Sequence, residues 1–419
     1  MAALIITAAC SAGNGAATTT VAPASPDTVA SNRRNVDGRI RLGVWLPSSG
    51  IGATLGTPLL AAVELAVREI NEAGGINGEL LDVAIADEGS DPATAYQALT
   101  ELLESDQVDV IVGPASSRIA LGALDVLAEA RAVTCSPTSA AYDLGERRDD
   151  GYFVRTIGSE ALEAMALTKA MIEEGTTRFS VLFPEDDYGF AFADQVQREF
   201  RRLRQEVRLV PYDPTQEQFN GPVELALADE VEAVGVVGSG AVGARVLRAL
   251  ALQDAPPERL PTFVTHGLRR DDLGELIDPR QPTASAGIRV VAPMARPMDP
   301  KFEAAFAVAA PGGRVAYAAY AYDCVNLLAL AAQAAGSDDA EGIRAQLTAV
   351  SSGGSRCRGF ADCARLLEQG RNIDLEGASG DLELQDDGDV GEATYEVFAF
   401  DEEGKEEPPE LVTIRVDSD

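Results

Sequence analysis

The chain has 419 residues, 46% of them hydrophobic and 24% charged, which is more than one domain usually needs and enough for two cores. A net charge of −33 excludes nucleic acid as a partner, because phosphate binding needs a basic face. No stretch reaches the roughly 18 to 20 uninterrupted apolar residues of a membrane span, so the bulk of the chain reads as soluble.

In chain order, Met1–Ala9 is short and apolar and runs into Ala8-Ala9-Cys10. This is similar to a bacterial lipoprotein signal, in which Cys10 receives the lipid. Thr7 stands where leucine is usual, and no basic residues precede the run; a start further upstream would supply them. Residues 11–37, rich in Ser, Thr, Ala and Pro over their first twenty positions, read as a flexible linker.

Strand and helix alternate from Arg39 onward. Arg41–Leu46 is an apolar strand. Thr57-Pro58 reads as an N-cap followed by the first helical residue, with Leu60, Val63, Val67 and Ile70 forming one buried stripe. Strands follow at Leu80–Ala86, Val108–Val112 and Ala132–Cys135, separated by helices that begin after Asp91-Pro92 and at Ser116-Ser117. After Tyr152–Ile157 the pattern restarts. Ser159 opens a helix to about Glu174. Strands at Arg178–Phe183, Val207–Tyr212, Ala233–Val237 and Thr262–Thr265 alternate with three more helices. Apolar strands without alternation mean parallel sheets covered on both faces, and two such runs mean two sheets. Ligands of open α/β sheets bind beyond the carboxyl ends of the strands, where helix N-termini point.

Of five cysteines, Cys357 and Cys363 lie close together in a Gly/Ser-rich stretch and would pair in an oxidising compartment. Cys135 and Cys324 sit in apolar patterns and read as plain buried thiols. With one histidine, His266, no metal site is expected. Trp45, the only tryptophan, reads as core.

The stretches "IRLGVWLPSSG", "AAVELAVREINEAGGINGELLDVAIADEGSDP", "VDVIVGPASS", "CSPTSAAYDL", "YFVRTIGS", "VLFPEDDYGFAFAD" and "YAAYAYDCVNLLALA" carry a family resemblance. The chain resembles the type I periplasmic binding proteins of the branched-chain amino acid (Leu/Ile/Val) transport class. That resemblance implies an α/β fold of two doubly wound parallel-sheet lobes joined by three crossing segments. Lobe 1 would be 38–157 plus 286–375, and lobe 2 would be 158–285 plus 376–416. It also implies an extracytoplasmic, monomeric, non-enzymatic binder without cofactor. Such a protein closes on a small polar solute, an amino acid or a related compound, and delivers it to an ABC permease. A freestanding sensor of the same fold is the alternative.

The resemblance places ligand contacts at Ser49, at Ser116 and Ser117 (the loop that holds a carboxylate), and at Thr138 and Ser139. From the other lobe come Tyr188 and Ser239, and Tyr320 lines the wall. Two positions depart from the amino-acid pattern. His266 stands where an acid usually pairs with the ligand ammonium, and as a neutral imidazole it would be a poor substitute, with Asp187 as a possible replacement. Ser239 stands where an aromatic is usual, and Ala140 where threonine is common.

Gly238-Ser239-Gly240-Ala241-Val242-Gly243 matches G-x-G-x-x-G between a strand and a helix. The acid that a dinucleotide site wants at the end of the next strand is absent, since that strand runs into His266. No G-x-S-x-G elbow or base–nucleophile pair marks a hydrolase. The sequence therefore reads as a binder rather than an enzyme.

Overall fold

A computed structural model describes residues 36–147, 149–294, 298–311 and 317–416. Cys10 and most of the linker lie outside these residues. Two parallel sheets organise the rest. In the first, the strands lie in the order Asp82–Asp87, Arg41–Leu46, Val110–Val112, Val133–Ser136, Phe153–Arg155, all parallel. The inner strands are almost entirely buried because helices cover both faces, and the edge strand Asp82–Asp87 is partly exposed at Asp82 and Ile85.

The second sheet has seven strands, in the order Glu410–Arg415, Glu392–Ala399, Arg289–Pro293, Thr262–Thr265, Ala233–Val236, Phe179–Pro184, Val207–Tyr212. The last five are mutually parallel. The first two form an antiparallel hairpin added to the edge. In both sheets the strand order reverses after the first strand of the run, between Arg41–Leu46 and Val110–Val112 and between Phe179–Pro184 and Ala233–Val236. Loops that leave a sheet at such a reversal diverge and open a crevice. Ser49, Ser116 and Ser239 sit on three of those loops, and Tyr188 in the first turn of the helix Asp187–Arg202 that follows the fourth.

The chain passes between the sheets after Phe153–Arg155, after Arg289–Pro293 and before Glu392–Ala399. This shifts the expected lobe limits in two places. Residues 289–293 belong to the second sheet, paired with Thr262–Thr265 and with Glu392–Ala399, rather than to lobe 1. Ala378, Leu382, Leu384 and Val390 pack in the core under the first sheet rather than in lobe 2. A doubly buried apolar strand such as Arg289–Pro293 says that it is inside a sheet, but not which sheet.

Pro58 is the other local correction. It lies inside the helix Ala53–Glu72, whose start is extended toward the 3-10 turn Gly50–Gly52. Trp45 is fully buried among Leu99, Val108, Ile111 and Leu124.

Among the described residues there are two disulfides, both in the first lobe. Cys357 and Cys363 are bonded, 6 residues apart. Cys135 and Cys324, expected as free thiols, are bonded as well, across 189 residues. The end of strand Val133–Ser136 packs under helix Ala318–Ala335 and brings the two Cα atoms to 5.5 Å, within the reach of the bridge.

Candidate functional site

The carboxyl ends of the lobe 1 strands carry four loops that hold one another. Asp87 accepts hydrogen bonds from the backbone N–H of Ser48 (2.7 Å), Ser49 (3.2 Å) and Gly89 (2.8 Å). Burial works against its ionisation, but these bonds and the Ser49 hydroxyl win and hold its carboxyl down at about 2. Ser49 itself is exposed and makes no capping bond.

The loop 113–117 is packed tightly from below. Gly113 has φ 121°, and a Cβ there would lie 1.9 Å from the Trp45 carbonyl oxygen, so only glycine fits. Its free donors are then partly consumed from inside. Glu88, 1% exposed, accepts from the N–H of Ala115 (2.7 Å) and Ser116 (2.8 Å). Burial outweighs both bonds and pushes its carboxyl up to about 7. An acidic side chain of the protein thus occupies two amides that the sequence reading left for a ligand anion.

The second loop is spent largely on holding the first. The hydroxyl of Thr138 donates to the Ala115 carbonyl (3.0 Å), and that of Ser139 donates to the Pro114 carbonyl (3.1 Å). The Ser117 hydroxyl accepts from the Ala141 N–H (3.2 Å). Ser139 is fully buried, so its expected contact with a ligand is corrected to an internal one. Tyr320 is largely buried, lines a cavity with Thr156 and Gly158, and donates its hydroxyl to the Met294 carbonyl (3.0 Å) across the second crossing. Ser116 is different. It stands at the N-cap of helix Ser117–Glu129, half-buried, yet its side chain makes no capping bond. Its hydroxyl and the first-turn N–H groups are available to a polar guest.

Lobe 2 answers with Tyr188, Ser239 and His266. Tyr188 packs edge-on against Phe192. Ser239 is exposed at the N-cap of helix Gly240–Leu252, again without a capping bond. The glycines beside it serve packing: a Cβ on Gly238 would meet the Tyr212 hydroxyl at 2.5 Å, and one on Gly243 would meet Leu268 at 2.8 Å. That accounts for the G-x-G-x-x-G spacing without a dinucleotide.

His266 departs from the neutral imidazole expected of it. Its Nδ1 lies 2.7 and 2.9 Å from the two oxygens of Glu163, and its backbone N–H donates to the same carboxylate (2.9 Å). Glu163 is 1% exposed. Burial alone would lower the imidazole, but the charge and hydrogen bond of Glu163, with Glu160 nearby, raise it to about 9. His266 is therefore an imidazolium at neutral pH, its side chain 34% exposed. Asp187 offers no compensating partner in this cluster and points into solvent in the first turn of its helix.

Glu160 joins the lobes. Its N–H donates to the Ala140 carbonyl (2.8 Å), and its carboxyl accepts from the Tyr142 N–H (3.2 Å). Burial raises it to about 7, with His266 pulling the other way. Tyr142 also stands beside Arg198 of lobe 2. The second loop of lobe 1 and the His266 cluster of lobe 2 thus meet at one place. Arg155 secures that place from behind, pairing with Asp389 and donating to the carbonyls of Ser139 and Ala141.

Sequence reasoning missed Glu88, Arg155, Glu160 and Glu163. Glu160 and Glu163 look like the ordinary acids of a helix first turn. Glu88 and Arg155 lie inside the quoted family stretches or beside them, but their bonds reach 27 and 234 residues away.

These groups make stability depend on pH. Glu88 and Glu160, together with Asp323 under the 377–380 loop, have folded values of about 7, above their values in the unfolded chain. The folded state holds these protons longer, so their contribution is complete below pH 4 and is lost as pH rises through 7. His266 adds a loss of the same sign between about 6.5 and 9. The unliganded protein should melt several degrees higher at pH 5 than at pH 9 by calorimetry. Glu160→Gln should flatten the lower part of that curve, and an unchanged slope would remove Glu160 from the account.

A family model described as "Periplasmic binding protein" matches residues 39–369. The chain belongs to the periplasmic binding protein family. BraC3, a Leu/Ile/Val-binding protein of Rhizobium johnstonii, is 30% identical over 156 residues, 37% of this chain and 42% of that one. BasB, a chemotactic signal transduction system substrate-binding protein of Halobacterium salinarum, is 24% identical over 372 residues, 82% of this chain and 83% of that protein. The isoleucine complex of LivJ, a branched-chain amino acid transporter substrate-binding protein from Streptococcus pneumoniae, superposes with a TM-score of 0.67. It is 19% identical and covers 90% of this chain and 100% of that one. Family membership makes this chain a solute-binding protein.

Proposed function

We propose that this protein is the extracytoplasmic solute-binding component of an ABC importer, tethered through Cys10 and acting as a monomer. It closes on a small polar solute, an amino acid or a related compound, and hands it to a permease. The observation that carries this reading is the pair of uncapped serines, Ser116 and Ser239, at helix N-termini on the switch-point loops of the two sheets. Hydroxyls that satisfy no helix are suited to a guest, and closure is favoured when a guest bonds both lobes at once. The disulfides support a compartment outside the cytoplasm.

A thermal-shift panel of amino acids, amides, nucleosides and aromatic acids tests the reading on the full chain. A solute at about 100 times its Kd adds about 2.7 kcal/mol. With a hit in hand, Ser116→Ala should weaken binding roughly ten- to a hundredfold, the loss of one hydrogen bond to a charged or polar group. The unliganded melting point should stay nearly the same, because no capping bond is lost. The opposite pattern, unchanged affinity and a loss of about 1 kcal/mol in the empty protein, would make Ser116 a structural cap.

A second reading is favoured by BasB, whose described role is in chemotactic signalling. In that case the closed form docks on a membrane receptor rather than a permease. Crosslinking of the solute-loaded protein in membranes separates the two by the partner captured.

A further inference from the structure

We infer that lobe 2 reads its solute through the imidazolium of His266, held in place by Glu163, and that the solute is an organic acid: it presents a carboxylate to lobe 2 and has no ammonium group beside it. This rests on the solute-binding reading above.

The argument begins with Glu163. A carboxylate this deeply buried needs a cation, and among the described residues His266 is the one within ion-pairing distance. Both carboxylate oxygens lie on Nδ1, and one also accepts the His266 backbone N–H. This three-point hold fixes the ring plane and places a proton on Nδ1. The charged ring then carries a second N–H, on Nε2, as a donor outside the pair. A third of the side chain is exposed, and it lies beside Glu160, where the two lobes meet.

The opposite wall points the same way. Glu88 already fills the amides of Ala115 and Ser116, so lobe 1 has placed a carboxyl of its own where a solute carboxylate would look for donors. The acceptor-hungry group of the cleft is His266. The Ser239 hydroxyl and the N-terminus of helix Gly240–Leu252 lie nearby on the same lobe and add donors. An α-ammonium directed at the Nε2–H would set donor against donor, where a carboxylate finds a charge-assisted bond. Glu163 is a positioning residue: it sets the orientation and charge of His266 without reaching the solute.

His266 is the chain's one histidine, so its imidazole resonances can be followed by NMR without assignment. The groups facing it are Glu160 and Glu163 from one helix, Tyr188 from the next, and Tyr395 and Tyr317, which stand near Glu163. The tyrosines are raised and do not titrate between pH 6 and 8. Glu160 does, so Glu160→Gln is the control background. The ring should titrate above pH 8 in the native protein and at least one pH unit lower in Glu163→Gln. A native midpoint near 6.5 would overturn the pairing.

Affinity is then measured on the full chain with matched probes: leucine against 4-methylpentanoate, phenylalanine against 3-phenylpropanoate, benzoate against benzamide. Acids should bind at least tenfold tighter than the matched amino acid or amide. His266→Gln should remove that preference, and His266→Glu should reverse it toward leucine or phenylalanine. In Glu163→Gln, acid affinity should fall between pH 6 and 8 beyond any change seen with Glu163 intact. An amino acid preferred over its acid by the native protein would overturn the inference and leave the transport reading standing. No binding of any probe, or of any compound in the wider panel, would overturn both. A nucleoside as sole hit would overturn the organic acid alone.

Discussion

Replacing Arg155 by methionine lowers the unfolding free energy by about 3–5 kcal/mol and abolishes solute binding. The side chain is fully buried, with Nε and Nη2 each 2.6 Å from an oxygen of Asp389. Its Nη1 donates to the carbonyls of Ser139 (3.1 Å) and Ala141 (2.7 Å). One guanidinium therefore ties the second loop of the cleft to the chain just ahead of the third crossing. Without it, Asp389 keeps a mostly buried charge with no partner, and burial already pushes that carboxyl up. The loop also loses the donor that sets its shape. Lysine should not rescue, because a point charge cannot serve a bidentate carboxylate and two carbonyls together. Arg155→Met with Asp389→Leu should recover much of the stability, since the stranded charge is gone, and none of the binding. Urea unfolding and calorimetric titration read the two effects separately. A loss below 1 kcal/mol in the single variant would show that the pair is dispensable.

Removing the Cys135–Cys324 bridge, as a double alanine variant, costs about 5 kcal/mol on the chain-entropy model, because the bond closes 189 residues. The Cys357–Cys363 bridge closes only 6, for which the same relation gives about 2 kcal/mol. The first variant should therefore lower the lobe 1 transition far more than the second, and lobe 2 should respond little to either. It should also weaken binding. Cys135 precedes Ser136, whose hydroxyl donates to the Pro114 carbonyl (2.6 Å), and the Thr156 hydroxyl lies 3.5 Å from the Cys324 sulfur at the first crossing. Equal losses for the two bridges would mean that native packing, and not loop closure, sets their value.

What the sequence made legible follows from where its signals are local. Strands such as Arg41–Leu46, Val207–Tyr212 and Thr262–Thr265 end where their apolar runs end. Ser116, Ser239 and His266 lie on strand–helix turns that any parallel sheet turns toward its ligand edge. The illegible part is made of pairings between distant residues. Nothing near His266 says that it is charged, because that depends on Glu163, 103 residues earlier. Ser139 and Thr138 look alike and adjacent, yet only the fold shows that both hydroxyls are spent on the loop beneath them. Cys135 and Cys324 sit in apolar runs that describe burial equally well for a thiol and for a bridge.

The two disulfides have one more property, which concerns the order in which their cysteines follow one another along the chain. Setting Cys10 aside, the cysteines come in the order 135, 324, 357, 363, and each bridge joins consecutive members of that series. In a chain threaded across a membrane amino end first, Cys135 waits alone until Cys324 emerges, and the two can pair before the next thiol arrives. Cys357 and Cys363 then appear together and have only each other. Oxidation in order of appearance yields the native pairs directly, with no mispaired species to be reshuffled.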